Sequence, residues 1–342
     1  MQGLVFEGGR RVASRGFPDP TAAPDEVVLR IKASGMCGSD LHYYRADPGA
    51  DPLAAAHIGG HEPAGVVEAL GSGVTRTDLA VGDRVMVHHY AGCGRCIGCR
   101  SGWTQMCSTR APVVYGKNAN GAHAPFMTVA AASVMPLDES LSFAAGATIG
   151  CGTGTAWGAL ERLGDVGGSR LVVFGQGPVG LSATMLATAR GARVIAVDPS
   201  AERRQRALKL GAAEAVGSDR QDVVQAVLDT TGGRGAHAVM ETSGTTAASD
   251  TALQVLAPWG RLCIVGLGGT VTLDVRRLLP RQYTVMTSWS MSYVQQIACA
   301  DFIAREGLPV DELFTDHWSI DDADQAYAEF DRQAGGKGVF LF

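Results

Sequence analysis

The sequence predicts an α/β protein built from a doubly wound parallel sheet and a second, irregular β-rich domain. Three observations lead there. After about residue 153, apolar strand-like runs alternate with helical stretches, the pattern of βαβ units on a parallel sheet. The first of those strands ends in GQGPVG, and a helix follows it. Before that point the chain is Gly-rich, its strand-like runs are short, and four cysteines crowd into the stretch Cys93–Cys107.

The bounds are consistent with two domains. The chain has 342 residues, 46% of them hydrophobic and 18% charged, enough for two cores. A formal net charge of −5 argues against nucleic acid or an anionic membrane surface as partner. No apolar run approaches the roughly 20 residues of a membrane span. MQGLVFEGGRR reads as a strand and turn, without the charged-then-apolar pattern of a secretory leader. A cytoplasmic setting is therefore expected, where structural disulfides are rare.

Taken in order, EVVLRIKA (26–33), GVVEAL (65–70) and DRVMVHHY (83–90) are β-prone runs separated by polar or Pro/Gly stretches. RADPGADPLAAAH (45–57) reads as a lid-like loop. LVVFG (171–175) is unbroken and apolar, as a strand buried on both faces is. A helix over 178–190 and a strand over 193–198 follow, then helices at 201–211 and around 221–229. The strand HAVMETS (237–243), a helix over 246–256 and the strand GRLCIVG (260–266) continue the alternation. A helix over 294–306 and a short tail lead to a last strand, GVFLF; the tail is too small to fold alone and is expected to rejoin the first domain. The domains are thus expected at 1–152 with 290–342, and at 153–289.

In GQGPVG, Gly175 permits the tight turn, Gly177 lets backbone approach a pyrophosphate, and Gly180 allows close helix–strand packing. The helix N-terminus offers free N–H groups and a partial positive charge. Asp198 ends the next strand, 23 residues after Gly175, where a carboxylate accepts hydrogen bonds from ribose hydroxyls and repels a 2′-phosphate. That context predicts a Rossmann domain for NAD in preference to NADP, with Arg203 on the following helix softening the exclusion.

Cys93, Cys96, Cys99 and Cys107 are spaced C-x2-C-x2-C-x7-C. The spacing suits a closed tetrahedral zinc site, and an iron–sulfur cluster is its sharpest rival because it also takes four cysteines. Three further segments hold metal-type ligands: GMCGSDLH with Cys37, GGHEPAG with His61 and Glu62, and IGCGTGTAW with Cys151.

With GHEPAGVVEALGSGVTRTDLAVGDRV (60–85), the four-cysteine loop, the GCGTGTAWGAL turn and the Rossmann fingerprint in that order, the chain resembles the zinc-dependent medium-chain alcohol and polyol dehydrogenases over essentially its full length. The resemblance implies that the β-rich domain is GroES-like and catalytic. It implies two Zn(II) ions per chain: a structural one on the four-cysteine loop, and a catalytic one held by Cys37, His61 and Cys151, with Glu62 beside it. Asp40 matches the carboxylate that holds the ligand histidine, Ser39 and His42 match a proton relay, and Val179 packs against the nicotinamide. The implied chemistry is oxidation of an alcohol through a zinc-bound alkoxide, with hydride transfer to NAD.

On substrate, two features diverge. CGSDLHYY resembles polyol, sugar and threonine dehydrogenases, with Tyr43 and Tyr44 adding hydroxyls, whereas Cys151 stands where those branches usually carry a carboxylate and resembles simple alcohol dehydrogenases. His88, His89 and Tyr90 fall where family members often line the pocket. A secondary hydroxyl of a polyol, sugar or cyclitol is the expected substrate. The alternatives are a carbonyl reductase, a primary or aromatic alcohol dehydrogenase, and a non-catalytic dinucleotide-binding protein. A homodimer or homotetramer is expected, with YTVMTSW (283–289) as its contact strand.

Overall fold

The computed structural model describes residues 1–219, 222–333 and 335–342. The chain divides into two compact units. The first comprises Met1–Gly154, Ser292–Gln333 and Lys337–Phe342; the second is Thr155–Met291 with a short stretch just before the last strand.

In the second unit, six parallel strands lie in the order Glu214–Val216, Arg193–Val197, Arg170–Phe174, Ala236–Glu241, Leu256–Ile264 and Thr284–Thr287. Chain order reverses beside Arg170–Phe174, whose neighbours are the second strand of the unit on one side and the fourth on the other. Such a switch point is where open α/β sheets bind ligands. Leu171, Val172, Val173 and Phe174 are all buried, as the unbroken apolar run requires. Val172, Ile195, Val239 and Leu262 carry the core from strand to strand, and Val223, Val227, Ala252 and Leu253 supply the helical cover. The helix expected around 221–229 spans Val223–Thr230 and is capped by the Asp222 carboxylate; Gln221 lies outside the described residues.

The first unit is a seven-stranded sheet centred on Glu26–Gly35, which pairs with Glu62–Leu70, Phe126–Ala130 and Lys337–Leu341. The C-terminal tail is more than a linker. It contributes the strands Phe314–Trp318 and Lys337–Leu341 to this sheet, and the helix Ala323–Asp331 between them.

Three local expectations are corrected. The run 83–90 is two strands, Arg84–Val87 and Tyr90–Ala91, with His88 and His89 in the break. The stretch after Cys151 is no turn but the helix Gly152–Leu163, preceded by the helix Phe143–Ile149. Its three glycines, two of them at its start, hid the periodicity. The 45–57 loop contains a short helix, Pro52–Ala56, begun by Pro52 and capped by Asp51, whose Oδ1 accepts from the N–H groups of Leu53 and Ala54.

Candidate metal centres and dinucleotide site

Four chain segments converge in the first unit. Cys37 follows the central strand and precedes the helix Asp40–Arg45. The Asp40 carboxylate folds back to accept from the Cys37 N–H at 2.8 Å, closing the turn that presents the thiol. Glu62 opens the neighbouring strand with His61 just before it, and register places Glu62 opposite Gly35. A Cβ at Gly35 would lie 2.2 Å from Glu62 Oε2, so only glycine leaves room for that carboxylate. Cys151 sits in the break between two helices.

Donor atoms of Cys37, His61, Glu62 and Cys151 all lie within 4.8 Å of one another. The Cys37 and Cys151 sulfurs are 3.9 Å apart. A disulfide needs about 2.05 Å, whereas tetrahedral ligands on one zinc with 2.3 Å bonds stand about 3.8 Å apart. Asp40 Oδ1 holds His61 Nδ1 at 3.0 Å, which fixes the proton there and leaves the Nε2 lone pair for a metal. Burial alone would lower the His61 pKa, but the charges of Asp40 and Cys37 outweigh it and raise it well above the ordinary value. The hydrogen bond from Cys151 holds Cys37 well below the usual thiol range and, with burial, pushes Cys151 up. Two thiols and an oriented imidazole are a donor set that fits zinc.

Glu62 is committed elsewhere as well. Its carboxylate is ion-paired with Lys337 Nζ at 2.6 Å, and both side chains are fully buried. Lys337 also donates to the Met36 carbonyl at 2.9 Å. Burial pushes Glu62 up to about 8, against the pull of the Lys337 ammonium. Sequence reasoning missed Lys337; its signal was a lysine leading an otherwise apolar strand.

Ser39 Oγ stands 3.4 Å from His61 Nε2, beside the donor set, and His42 is exposed one turn along the helix. His89 is brought in too: its ring centroid is 5.1 Å from that of His61, and its Nδ1 donates to the Gly150 carbonyl at 2.9 Å. His88 turns instead to Gln296 Oε1 at 3.0 Å, a packing role. The tyrosines divide likewise. Tyr44 is buried in the cluster of Leu4, Phe6 and Tyr327, which removes it as a substrate contact, while Tyr43 is half-buried at its edge.

The four-cysteine loop brings the sulfurs of Cys93, Cys96, Cys99 and Cys107 within 4.8 Å of one another. Cys93–Cys99 and Cys96–Cys107 are each 3.9 Å apart. These spacings match the edges of a tetrahedron around one ion and are too long for disulfides. The Arg95 and Cys96 N–H groups donate to Cys93 Sγ at 3.4 Å. The Thr109 hydroxyl helps lower Cys93 to about 7, and backbone N–H groups hold Cys96 at about 5, so both favour the thiolate a metal needs. Burial pushes Cys99 up to about 12, a direction that a bound cation reverses.

In the second unit, Gly175 has φ +83°, and a Cβ there would meet the Ser243 N–H at 2.9 Å. A Cβ at Gly180 would lie 1.8 Å from the Gly175 carbonyl oxygen. At Gly177, the N-cap of the helix Pro178–Ala189, the nearest atom to an added Cβ is Arg203 Nη1 at 4.0 Å, so this face is open. Val179 is half-buried in the first turn of the helix. The Asp198 carboxylate is nearly buried and accepts from the Gln176 N–H at 2.6 Å and the Ser200 N–H at 2.8 Å. A carboxylate has about four acceptor directions, so two remain for a ribose.

Paired metal-type donor sets on a β-rich unit, with a glycine-lined dinucleotide fold beside them in the chain, define the class of metal-dependent, nucleotide-linked oxidoreductases. Comparison with known proteins narrows it. Residues 23–139 match the alcohol dehydrogenase GroES-like domain family, and residues 178–305 match the zinc-binding dehydrogenase family. The zinc-type alcohol dehydrogenase-like protein YphC of Escherichia coli is 36% identical over 100% of this chain and 99% of its own length. Sorbitol dehydrogenase of Bacillus subtilis is 31% identical, covering 95% of this chain and 92% of its own. Among solved structures, the alcohol dehydrogenase of Thermus sp. ATN1 superposes with a TM-score of 0.91 at 29% identity, over 100% of this chain and 99% of that one. An NAD-dependent alcohol dehydrogenase gives 0.88 at 27% identity over the whole of both chains. The chain belongs to the zinc-dependent medium-chain alcohol dehydrogenase family.

Proposed function

We propose that this zinc- and NAD-linked dehydrogenase oxidises a secondary hydroxyl of a polyol, sugar or cyclitol to the ketone. The observation that carries the chemistry is the convergence of Cys37, His61 and Cys151, with the His61 tautomer fixed by Asp40. When bound there, zinc supplies the Lewis acidity that lets an alcohol hydroxyl lose its proton near neutral pH, and NAD supplies the hydride acceptor. Ser39 receives that proton and exposed His42 returns it to solvent. Glu62 and Lys337 face each other as a buried pair beside the site. Gly175, Gly177 and Gly180 admit the pyrophosphate, Val179 packs on the nicotinamide, Asp198 takes the adenosine ribose, and Arg203 stands by the open Gly177 face. The four-cysteine loop holds a second, structural zinc.

The polar substrate class is supported by the sorbitol dehydrogenase relative and by the neutral His89, whose Nδ1–H is spent on Gly150, leaving Nε2 as an acceptor beside the site. Burial lowers the His89 pKa well below its ordinary value, which keeps it neutral. Cys151 favours a second reading, a simple primary or aromatic alcohol dehydrogenase; a carbonyl reductase working towards the alcohol is a further alternative. NAD reduction by zinc-loaded protein, tested across polyols, sugars, cyclitols, threonine and aliphatic or aromatic alcohols, separates them. Turnover confined to simple alcohols would replace the polyol reading, and turnover with NADP equal to that with NAD would overturn the cofactor preference. Reduced thiols at both centres fit a cytoplasmic protein, and no helix among the described residues is long and apolar enough to cross a membrane.

A further inference from the structure

Behind Asp40 runs a line of buried polar side chains that the chemistry above does not use. Ser34 Oγ is 2.7 Å from His123 Nδ1, His123 Nε2 is 2.6 Å from the Tyr327 hydroxyl, and that hydroxyl is 3.4 Å from Asp40 Oδ2. Ser34, His123 and Tyr327 are fully buried and Asp40 nearly so, so none of these groups exchanges its partner for water. The direction of the protons follows from the far end. An ionised carboxylate only accepts, so Tyr327 donates to Asp40 Oδ2. The Tyr327 oxygen then accepts from His123 Nε2–H, and the bare Nδ1 accepts from the Ser34 hydroxyl. Every dipole in the line points at one carboxylate, whose other oxygen holds His61 Nδ1. The line also crosses three parts of the first unit: the central strand, the loop before Phe126, and the C-terminal helix Ala323–Asp331. Gly60 lies against it; a Cβ there would be 2.4 Å from His123 Nδ1.

We propose that His123 and Tyr327 are positioning residues for the Cys37–His61–Cys151 centre, fixing Asp40 and through it the His61 tautomer that binds metal. The proposal rests on the assignment of that centre as a metal site. It assigns a part in metal retention to the C-terminal helix, which contributes none of the donor atoms of that centre. Partners of this kind outside the ligands typically alter metal affinity 10–100-fold. Because Tyr327 acts through Asp40, which keeps the Cys37 N–H as a second donor, the low end is expected.

The test uses the full chain loaded with cobalt(II), whose absorption distinguishes a site of two thiolates and an imidazole from one of four thiolates. Tyr327→Phe keeps the ring among Phe6, Tyr44 and Phe340 but removes the hydroxyl. Its two-thiolate centre should lose cobalt to a chelator about 10-fold faster and show displaced ligand-field bands, while the four-thiolate loop is unchanged and serves as internal control. His123→Leu should show the same loss in weaker form, since Tyr327 can still donate. His123→Gln, with an amide N–H near the place of Nε2, should restore retention. Wild-type release rates and bands in both Tyr327→Phe and His123→Leu would overturn the positioning role. If the wild-type chain takes up cobalt only on the four-thiolate loop, the metal centre itself falls and the proposal with it, a result distinct from the first.

Discussion

Asp198 is held from two sides by backbone N–H groups before any nucleotide arrives. Asp198→Ala removes a charged acceptor for the ribose, worth about 1.5–3 kcal/mol, or roughly 10–100-fold in KM for NAD. It also frees the Gln176 and Ser200 N–H groups as donors for a 2′-phosphate. The ratio of kcat/KM for NAD to that for NADP should therefore fall from both ends; an unchanged ratio would remove Asp198 from cofactor choice. His123 gives a second prediction at this scale. Burial lowers it from 6.5 to about 4, so the folded state prefers it neutral. Its contribution is fully present above pH 6.5, where the unfolded state is also neutral, and is lost as pH falls through about 4. The difference amounts to about 3 kcal/mol at full extent. Thermal melts of chelator-treated protein between pH 7 and 4 should fall more steeply for wild type than for His123→Gln, and parallel curves would contradict a buried neutral imidazole.

At the scale of elements, the two cysteine sets answer to different readouts. The four-cysteine loop has little regular structure, one turn over Ile97–Arg100 and one over Thr104–Met106, and Ile97 and Met106 are exposed. With so few apolar contacts, its order is expected to depend on a bound ion. Cys96→Ser should lower metal content by one equivalent and Tm by roughly 5–10 °C, for a loss of about 3 kcal/mol. Full zinc and an unchanged Tm would refute a structural site. Cys37, by contrast, is carried by a turn already closed by the Asp40 carboxylate, between a central strand and a helix. Cys37→Ser should abolish alcohol oxidation while leaving the melting curve and NAD binding, followed by fluorescence titration, close to wild type. The elements themselves were legible where one pattern ran long enough. The apolar run Leu171–Phe174 and the fingerprint after it define a strand, a turn and a helix without tertiary help. The break at His88 and His89 was not, because both histidines are buried by partners from elsewhere, Gln296 and Gly150, and the run looked continuous without them.

For the whole molecule, the strand Thr284–Thr287 ends the six-stranded sheet, and Leu273, Val275, Leu279 and Trp289 are exposed near it in sequence. An unprotected sheet edge with apolar neighbours invites pairing with a second copy. Sedimentation equilibrium at micromolar concentration should give at least twice the 35.6 kDa chain mass, and a monomer would dismiss this edge as the contact.

Sequence by itself determined the features that depend on short, fixed spacing. The glycine fingerprint, the C-x2-C-x2-C-x7-C loop and the two-domain rhythm are local because backbone geometry within a few residues decides them. The candidate ligands Cys37, His61 and Cys151 were legible only through resemblance, since their segments are far apart in the chain. What the tertiary structure alone decided are the partners of those residues: Lys337 on Glu62, and Tyr327 and His123 behind Asp40. A buried charge or hydroxyl must be matched by whatever group the fold brings to it. No local pattern encodes that match, because the desolvation cost that enforces it arises only once strands and helix have closed around the site.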